Sequence, residues 1–187
     1  MDLSQIKCEV LESLLVHHKP VKADQVAKEI GKERPAVQMH LIGLTKVGYA
    51  QSPMKGHYLI TENGKKVLGL HNVDKEKALT ILANSSRDKA FHFYIGIGKP
   101  LNVYAHDLQE FCTKISEVPS ESLDFHLNRG DFEAWFKSRG DSELEREVTI
   151  LRESKVHEKE LTVKLMEISK TRLKRLSKIS MQPNPSA

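Results

Sequence analysis

Between Arg34 and Ile60 a helical apolar period breaks at a glycine and gives way at once to two short β-prone runs. Few folds accommodate that order. Val37, Leu41 and Leu44 recur at i, i+4 and i+7, which is one face of a helix. Pro35 suits the first helical position, where its missing N–H would have had no intrahelical partner. Gly48 stops the helix. Ala50–Ser52 and His57–Ile60 then flank a Pro53-Met54-Lys55-Gly56 turn, as in a hairpin.

Upstream, Leu3, Ile6, Val10, Leu11, Leu14 and Leu15 make an amphipathic first helix, which Pro20 ends. A second helix is expected from about Ala23 to Ile30, with Val26, Ala27 and Ile30 inward and Gly31 at its C-terminal stop. Only a few residues separate it from the third helix, as a helix-turn-helix requires. After the hairpin, Thr61 can cap a further helix through Leu68.

Residues 3–70 resemble a winged helix-turn-helix domain of the prokaryotic transcription-regulator type. The resemblance rests on Val26-Ala27-Lys28-Glu29-Ile30-Gly31, on Val37 to Leu44, on Gly48-Tyr49, and on Tyr58-Leu59-Ile60-Thr61-Glu62-Asn63-Gly64. It implies double-stranded DNA as partner, with the third helix in the major groove and the wing on the backbone or minor groove. On that expectation Lys32, Arg34 and Lys46 reach phosphates and Gln38 reads adenine, while Met39 and Ile42 lie on the outward arc and Lys55 and His57 belong to the wing. Met39 and Ile42 are unusual on a DNA-reading face. They leave open the alternative of a winged helix that docks protein and binds no DNA.

Charge sets only loose limits. The chain has 29 Lys and Arg against 25 Asp and Glu, a net +4. Ten basic against seven acidic residues give residues 1–70 an excess of three, compatible with nucleic acid without demanding it. No apolar run approaches membrane-spanning length and no secretory signal pattern opens the chain, so a cytoplasmic protein is expected. Cys8 and Cys112 fall on apolar helix faces, which favours reduced thiols over a metal site; no cofactor is implied.

A connecting helix is expected within residues 71–87, with Asp74 as cap and Ala78, Leu79, Ile81 and Leu82 apolar. Composition then shifts, since the only Trp and all six Phe lie beyond residue 90. Phe91, Phe93, Ile95 and Ile97 alternate, which suggests a short strand. Gly96-x-Gly98-Lys99 is no phosphate loop, because that motif needs four residues between its glycines and Ser or Thr after the lysine, where Pro100 stands here. Leu108, Phe111, Cys112 and Ile115 give a helical face. Further helices follow around Leu123–Leu127 and Phe132–Phe136, the latter with Asp131 as its expected cap.

The run His126-x-x-Arg129-Gly130-Asp131-Phe132-x-x-Trp135, with Phe91-His92-Phe93-Tyr94 and Gly140-Asp141 around it, resembles an uncharacterised archaeal and bacterial domain of unknown function. The resemblance spans about residues 88–178 and implies a compact, mainly helical domain, but no activity. His92, Tyr94, His126, Arg129, Asp131 and Trp135 form a candidate cluster. Without a nucleophile–base or metal-ligand spacing it reads as structural rather than catalytic, and a small-ligand sensor site is the middle alternative.

From Asp141 to Ile179 the chain holds no Gly or Pro. Leu144, Val148 and Leu151 form one stripe and Leu161, Leu165, Ile168 and Leu176 another, interrupted at residues 154–157, so two helices are expected. The stripes suggest a homodimer or protein-partner interface, and Lys170, Arg172, Lys174, Arg175 and Lys178 a basic end. The expectation is a mainly α fold with a small β-hairpin: a winged helix-turn-helix domain (1–70), a connecting helix (71–87), a helical domain (88–179) and a disordered tail (180–187). Its function would be transcription regulation, with dimerisation, sensing or partner contact in the helical domain and no catalysis; an enzyme in residues 88–178 is the remoter alternative.

Overall fold

The computed structural model describes residues 3–183 and divides between Asn72 and Val73 into two units. The described residues are mainly helical, with small antiparallel sheets. None of their helices is long and apolar enough to cross a membrane.

The first unit contains α1 (Gln5–Leu15), β1 (Val21–Lys22), α2 (Ala23–Glu29), α3 (Arg34–Lys46), β2 (Ala50–Met54), β3 (His57–Ile60) and α4 (Glu62–Val67). Its sheet runs in the order β1-β3-β2, all antiparallel, with Val21 opposite Tyr58 and Ala50 opposite Ile60. The two-residue strand β1 is too short to carry an alternation, so no sequence pattern announced it. Val10, Leu11, Leu14 and Leu15 of α1 close against Val26 and Ala27 of α2 and Val37, Leu41 and Leu44 of α3, all buried. The period expected for α3 is the one it buries.

The Thr61–Gly64 run has a physical explanation. Thr61 donates its hydroxyl to the Gly48 carbonyl (2.6 Å) and accepts from the Gly64 N–H (3.1 Å), so one side chain ties the end of α3 to the start of α4. A Cβ on Gly64 would sit 2.1 Å from the Tyr49 carbonyl oxygen, a distance no side chain tolerates. α1 and α2 are joined by Glu29, which accepts from Ser13 Oγ (2.6 Å) and from His17 Nε2 (2.8 Å). Burial pushes the Glu29 carboxyl up, but the bonds from His17 and Ser13 outweigh it and hold the group below its ordinary value.

The second unit contains α5 (Lys75–Leu82), a 3-10 turn (Arg87–Lys89), β4 (Phe91–Gly96), β5 (Lys99–Ala105), α6 (Leu108–Lys114), α7 (Ser120–Arg129), α8 (Asp131–Ser138), α9 (Ser142–Glu153) and α10 (Glu158–Ser180). The mainly helical domain therefore holds a β-hairpin, of which only the first strand was expected. β4 pairs antiparallel with β5 from Phe91↔Ala105 to Gly96↔Lys99, around a turn in which Gly98 has φ +70°. Phe91 and Phe93 face an aromatic core with Phe111, Phe132, Trp135 and Phe136, ring centroids 4.9–6.0 Å apart. Such pairs add roughly 0.5–1.5 kcal/mol each beyond area burial.

α5 is not a free connector. Asp74 caps it as expected, accepting from the Lys77 N–H, but Ala78 and Ile81 are buried in the second unit's core. Arg139 donates to the Ile81 and Ala83 carbonyls at its C-terminal end. Those carbonyls lack intrahelical partners, so a guanidinium there completes the helix. The apolar stripes of α9 and α10 are also spent internally: Leu144, Val148, Leu151, Leu161, Leu165, Ile168 and Leu176 all lie in the same core. They therefore supply no spare surface for the expected dimer or partner interface.

The basic end divides in two. Arg172 is buried, its guanidinium bonded to Asp141 (Nε at 3.0 Å to both carboxylate oxygens, Nη2 at 2.8 Å) and to Glu143 (Nη1, 2.6 Å). Arg175 also pairs with Glu143. Only Lys170, Lys174 and Lys178 are exposed, at i, i+4 and i+8 on one stripe. Asp141 caps α9 by accepting from the Leu144 N–H. α10 continues through Ser180, so the expected tail begins later than residue 180; its last four residues, 184–187, lie outside the described residues.

Candidate functional site

Two places gather the residues singled out by sequence. On α3, packing of Val37, Leu41 and Leu44 leaves Met39 (69% exposed), Ile42 (37%) and Lys46 facing solvent. Lys32, Lys46 and Lys55 are exposed and make no ion pair among the described residues. Arg34 does: its Nε lies 2.7 Å from Asp24 Oδ1 in a well-exposed pair. Such pairs are weak, so the guanidinium remains exchangeable for a phosphate. Gln38 departs from the expected adenine reader, because its amide Nε2 donates to the Tyr58 hydroxyl at 2.6 Å. That bond spans α3 and β3, takes one of the two amide N–H donors and fixes the direction of the side chain, so Gln38 is not free to turn its amide for bidentate contact with adenine. His57 faces its own turn, with Nδ1 3.2 Å from the Lys55 carbonyl oxygen. Met54, 57% exposed beside that turn, was not singled out by sequence.

The second place is a cleft of about 380 Å³ in the second unit, between the β4–β5 turn and the α7–α8 junction. It brings together His92, Tyr94, His126, Arg129 and Asp131, five of the six clustered residues. Trp135 is excluded. Its ring is buried in the core and its Nε1–H donates to the Lys89 carbonyl (3.1 Å). The sequence reading missed Phe125, Ile97 and the flanking Gly96 and Gly98 as lining residues. Phe125 sits four positions before Arg129, the helical spacing that stacks side chains, and this was the available signal.

A chain of hydrogen bonds organises the polar side of the cleft. The Tyr94 backbone N–H donates to His126 Nε2 (2.8 Å), so that nitrogen carries no proton. His126 Nδ1–H then donates to Asp131 Oδ2 (2.7 Å), and Arg129 Nε donates to the same oxygen (3.2 Å). Asp131 is thus a partner of His126 and Arg129; the expected cap of α8 is absent, since Gly130 takes the cap position without a side-chain bond. Burial holds the His126 imidazole below its ordinary pKa, against the opposing pull of Asp131. Both ring nitrogens are occupied, so His126 is unsuited to general base catalysis in this arrangement. His92 is likewise engaged, its Nε2 2.7 Å from the Arg87 carbonyl oxygen.

Arg129 differs. It is half exposed, its guanidinium lies 5.1 Å from the Phe125 ring centroid, and only its Nε is hydrogen-bonded among the described residues. Among the described residues no group of three or more His, Cys, Asp or Glu is placed to hold a metal ion. No family model, curated protein or solved structure matches this chain.

Proposed function

We propose that residues 3–70 are a winged helix-turn-helix that binds duplex DNA, and that the protein regulates transcription. What carries this reading is the connection of α3. Its inner face is consumed by packing, its outer arc is open, and it runs straight into a hairpin whose second strand is the middle of a three-stranded sheet. Exposed Lys32, Lys46 and Lys55 on this unit, without an ion pair among the described residues, supply charge for phosphates. Base readout falls to few side chains, because Gln38 is already bonded to Tyr58. Binding that is strong in electrostatics and modest in sequence preference is the expected behaviour.

A mobility-shift series with random duplex DNA across salt concentrations tests the proposal. Lys46→Ala with Lys55→Ala weakens binding to all sequences and lowers the log–log salt slope by about one unit per lost phosphate contact. A double variant that binds as the parent does shows that the surface is wrongly assigned. The proposal extends to a homodimer, since one recognition helix rarely offers enough contacts alone. A monomeric mass by light scattering at micromolar concentration removes that extension.

The exposed Met39, Ile42 and Met54 favour a second reading, in which the same face docks a protein and binds no DNA. Met39→Ser with Ile42→Ser then abolishes partner binding, and the parent shows no salt-dependent DNA shift.

A further inference from the structure

We propose that the cleft between the β4–β5 turn and α7 binds a free α-amino acid with an apolar side chain. The cleft, at about 380 Å³, lies at the small end of the roughly 300–1,000 Å³ typical of small-ligand sites. Its walls are apolar on the Phe91, Tyr94, Ile97 and Phe125 side. Ile97 is 83% exposed at its edge, apolar surface that a ligand would cover. Gly98 at the turn leaves open space where a side chain would otherwise stand.

The polar end has one cation and one anion. Arg129 offers its terminal Nη groups, and among the described residues Asp131 keeps Oδ1 unused while Oδ2 accepts from His126 and Arg129. His126 is neutral, because the Tyr94 N–H occupies its second nitrogen. The net charge is therefore zero in apolar surroundings. A ligand with net charge would lose hydration there without a matching counter-charge, whereas a zwitterion is compensated at both ends. Arg129 and Asp131 lie side by side, Nε to Oδ2 at 3.2 Å, matching the adjacent carboxylate and ammonium of an α-amino acid. Arg129 takes the carboxylate, Asp131 the ammonium, and the side chain enters the cleft. His126 is a positioning residue, holding Asp131 from behind.

This inference stands apart from the DNA reading, and its test uses no DNA. Isothermal titration of the intact protein with L-phenylalanine and L-leucine is compared with 3-phenylpropanoate, which lacks the ammonium, and phenethylamine, which lacks the carboxylate. Saturable one-site binding of at least one amino acid is expected, with L-phenylalanine bound about tenfold or more tighter than either analogue. Arg129→Gln, at a half-exposed position, keeps the parent's melting temperature and weakens amino-acid binding by a similar factor. Three results overturn the proposal: no saturable amino-acid binding at millimolar concentration, an analogue bound as tightly as L-phenylalanine, or unchanged binding in a folded Arg129→Gln variant.

Discussion

His126 and Cys112 show how much a buried position changes a side chain's chemistry. Burial lowers the His126 pKa, so in the folded state the imidazole resists protonation that the unfolded chain accepts near pH 6.5. Its contribution to stability is complete above about pH 6.5 and declines as pH falls toward the lower folded value. Thermal unfolding of the parent and of His126→Gln between pH 7 and 5 tests this: the variant is less stable throughout and has a flatter pH dependence. Glu29 has the same sign at lower pH, its stabilisation fading as pH falls through the carboxylate range. Burial, with Asp107 adding and Lys170 opposing, pushes the Cys112 thiol up to about 11. At pH 8 an aromatic disulfide reagent should titrate Cys8, which is half-buried, quickly and Cys112 only on unfolding. Sequence placed both cysteines on apolar faces, and it gathered His126, Arg129 and Asp131. It could not assign the role of Asp131, because an acidic residue before a helix reads alike whether it caps the helix or pairs with an upstream histidine.

At the scale of elements, α10 is held to the start of α9 by a charge cluster that hydrophobic periodicity does not reveal. Arg172 bears charge at 1% exposure because Asp141 and Glu143 face it; burial alone would lower its pKa, and these acids raise it. Arg172→Ala leaves the buried Asp141 without its counter-ion and Glu143 with Arg175 alone, and is expected to cost roughly 3–5 kcal/mol in chemical denaturation. Arg172→Met combined with Asp141→Asn and Glu143→Leu removes the charges together and should recover most of that loss. The Arg had read as one of five surface cations, since a helix stripe of basic residues gives no sign of which one turns inward. β5 was missed for a different reason. Leu101, Val103 and Ala105 do alternate, but Pro100 and the glycines before it read as the end of an extended segment. By contrast α1, α3 and the residue 154–157 break carried full apolar periods and proved legible. The Thr61–Gly64 junction was legible as a motif, and its steric basis makes Gly64→Ala destabilising by about 1–3 kcal/mol, measurable by the shift of a urea midpoint.

For the molecule as a whole, the two units own separate cores: Val10, Leu41 and their neighbours in one, and the aromatic group around Phe111 in the other. Trp135, the only tryptophan, reports on the second unit alone. Gly64→Ala should therefore move the far-ultraviolet circular dichroism transition without moving tryptophan fluorescence, whereas Arg172→Ala should shift the fluorescence transition to lower denaturant. Coincident shifts of both probes in both variants would show a single cooperative unit instead. The chain passes from one core to the other over a short stretch: α4 ends at Val67, Leu70 is still buried and lies outside the aromatic core, and Ala78 and Ile81 already belong to that core.

The position of α10 along the chain sets an order of events on the ribosome. The first unit has every strand and helix it needs once Asn72 has emerged, whereas the aromatic core waits for Leu161, Leu165, Ile168 and Leu176. At roughly 5–20 residues per second, that delay is on the order of ten seconds. During it, the nascent chain carries a finished head and an unsealed aromatic half, with Asp141 and Glu143 still hydrated and unpaired. Chaperone capture should accordingly concentrate on nascent chains stalled between α6 and α10, and fall away once Arg172 can reach its acids.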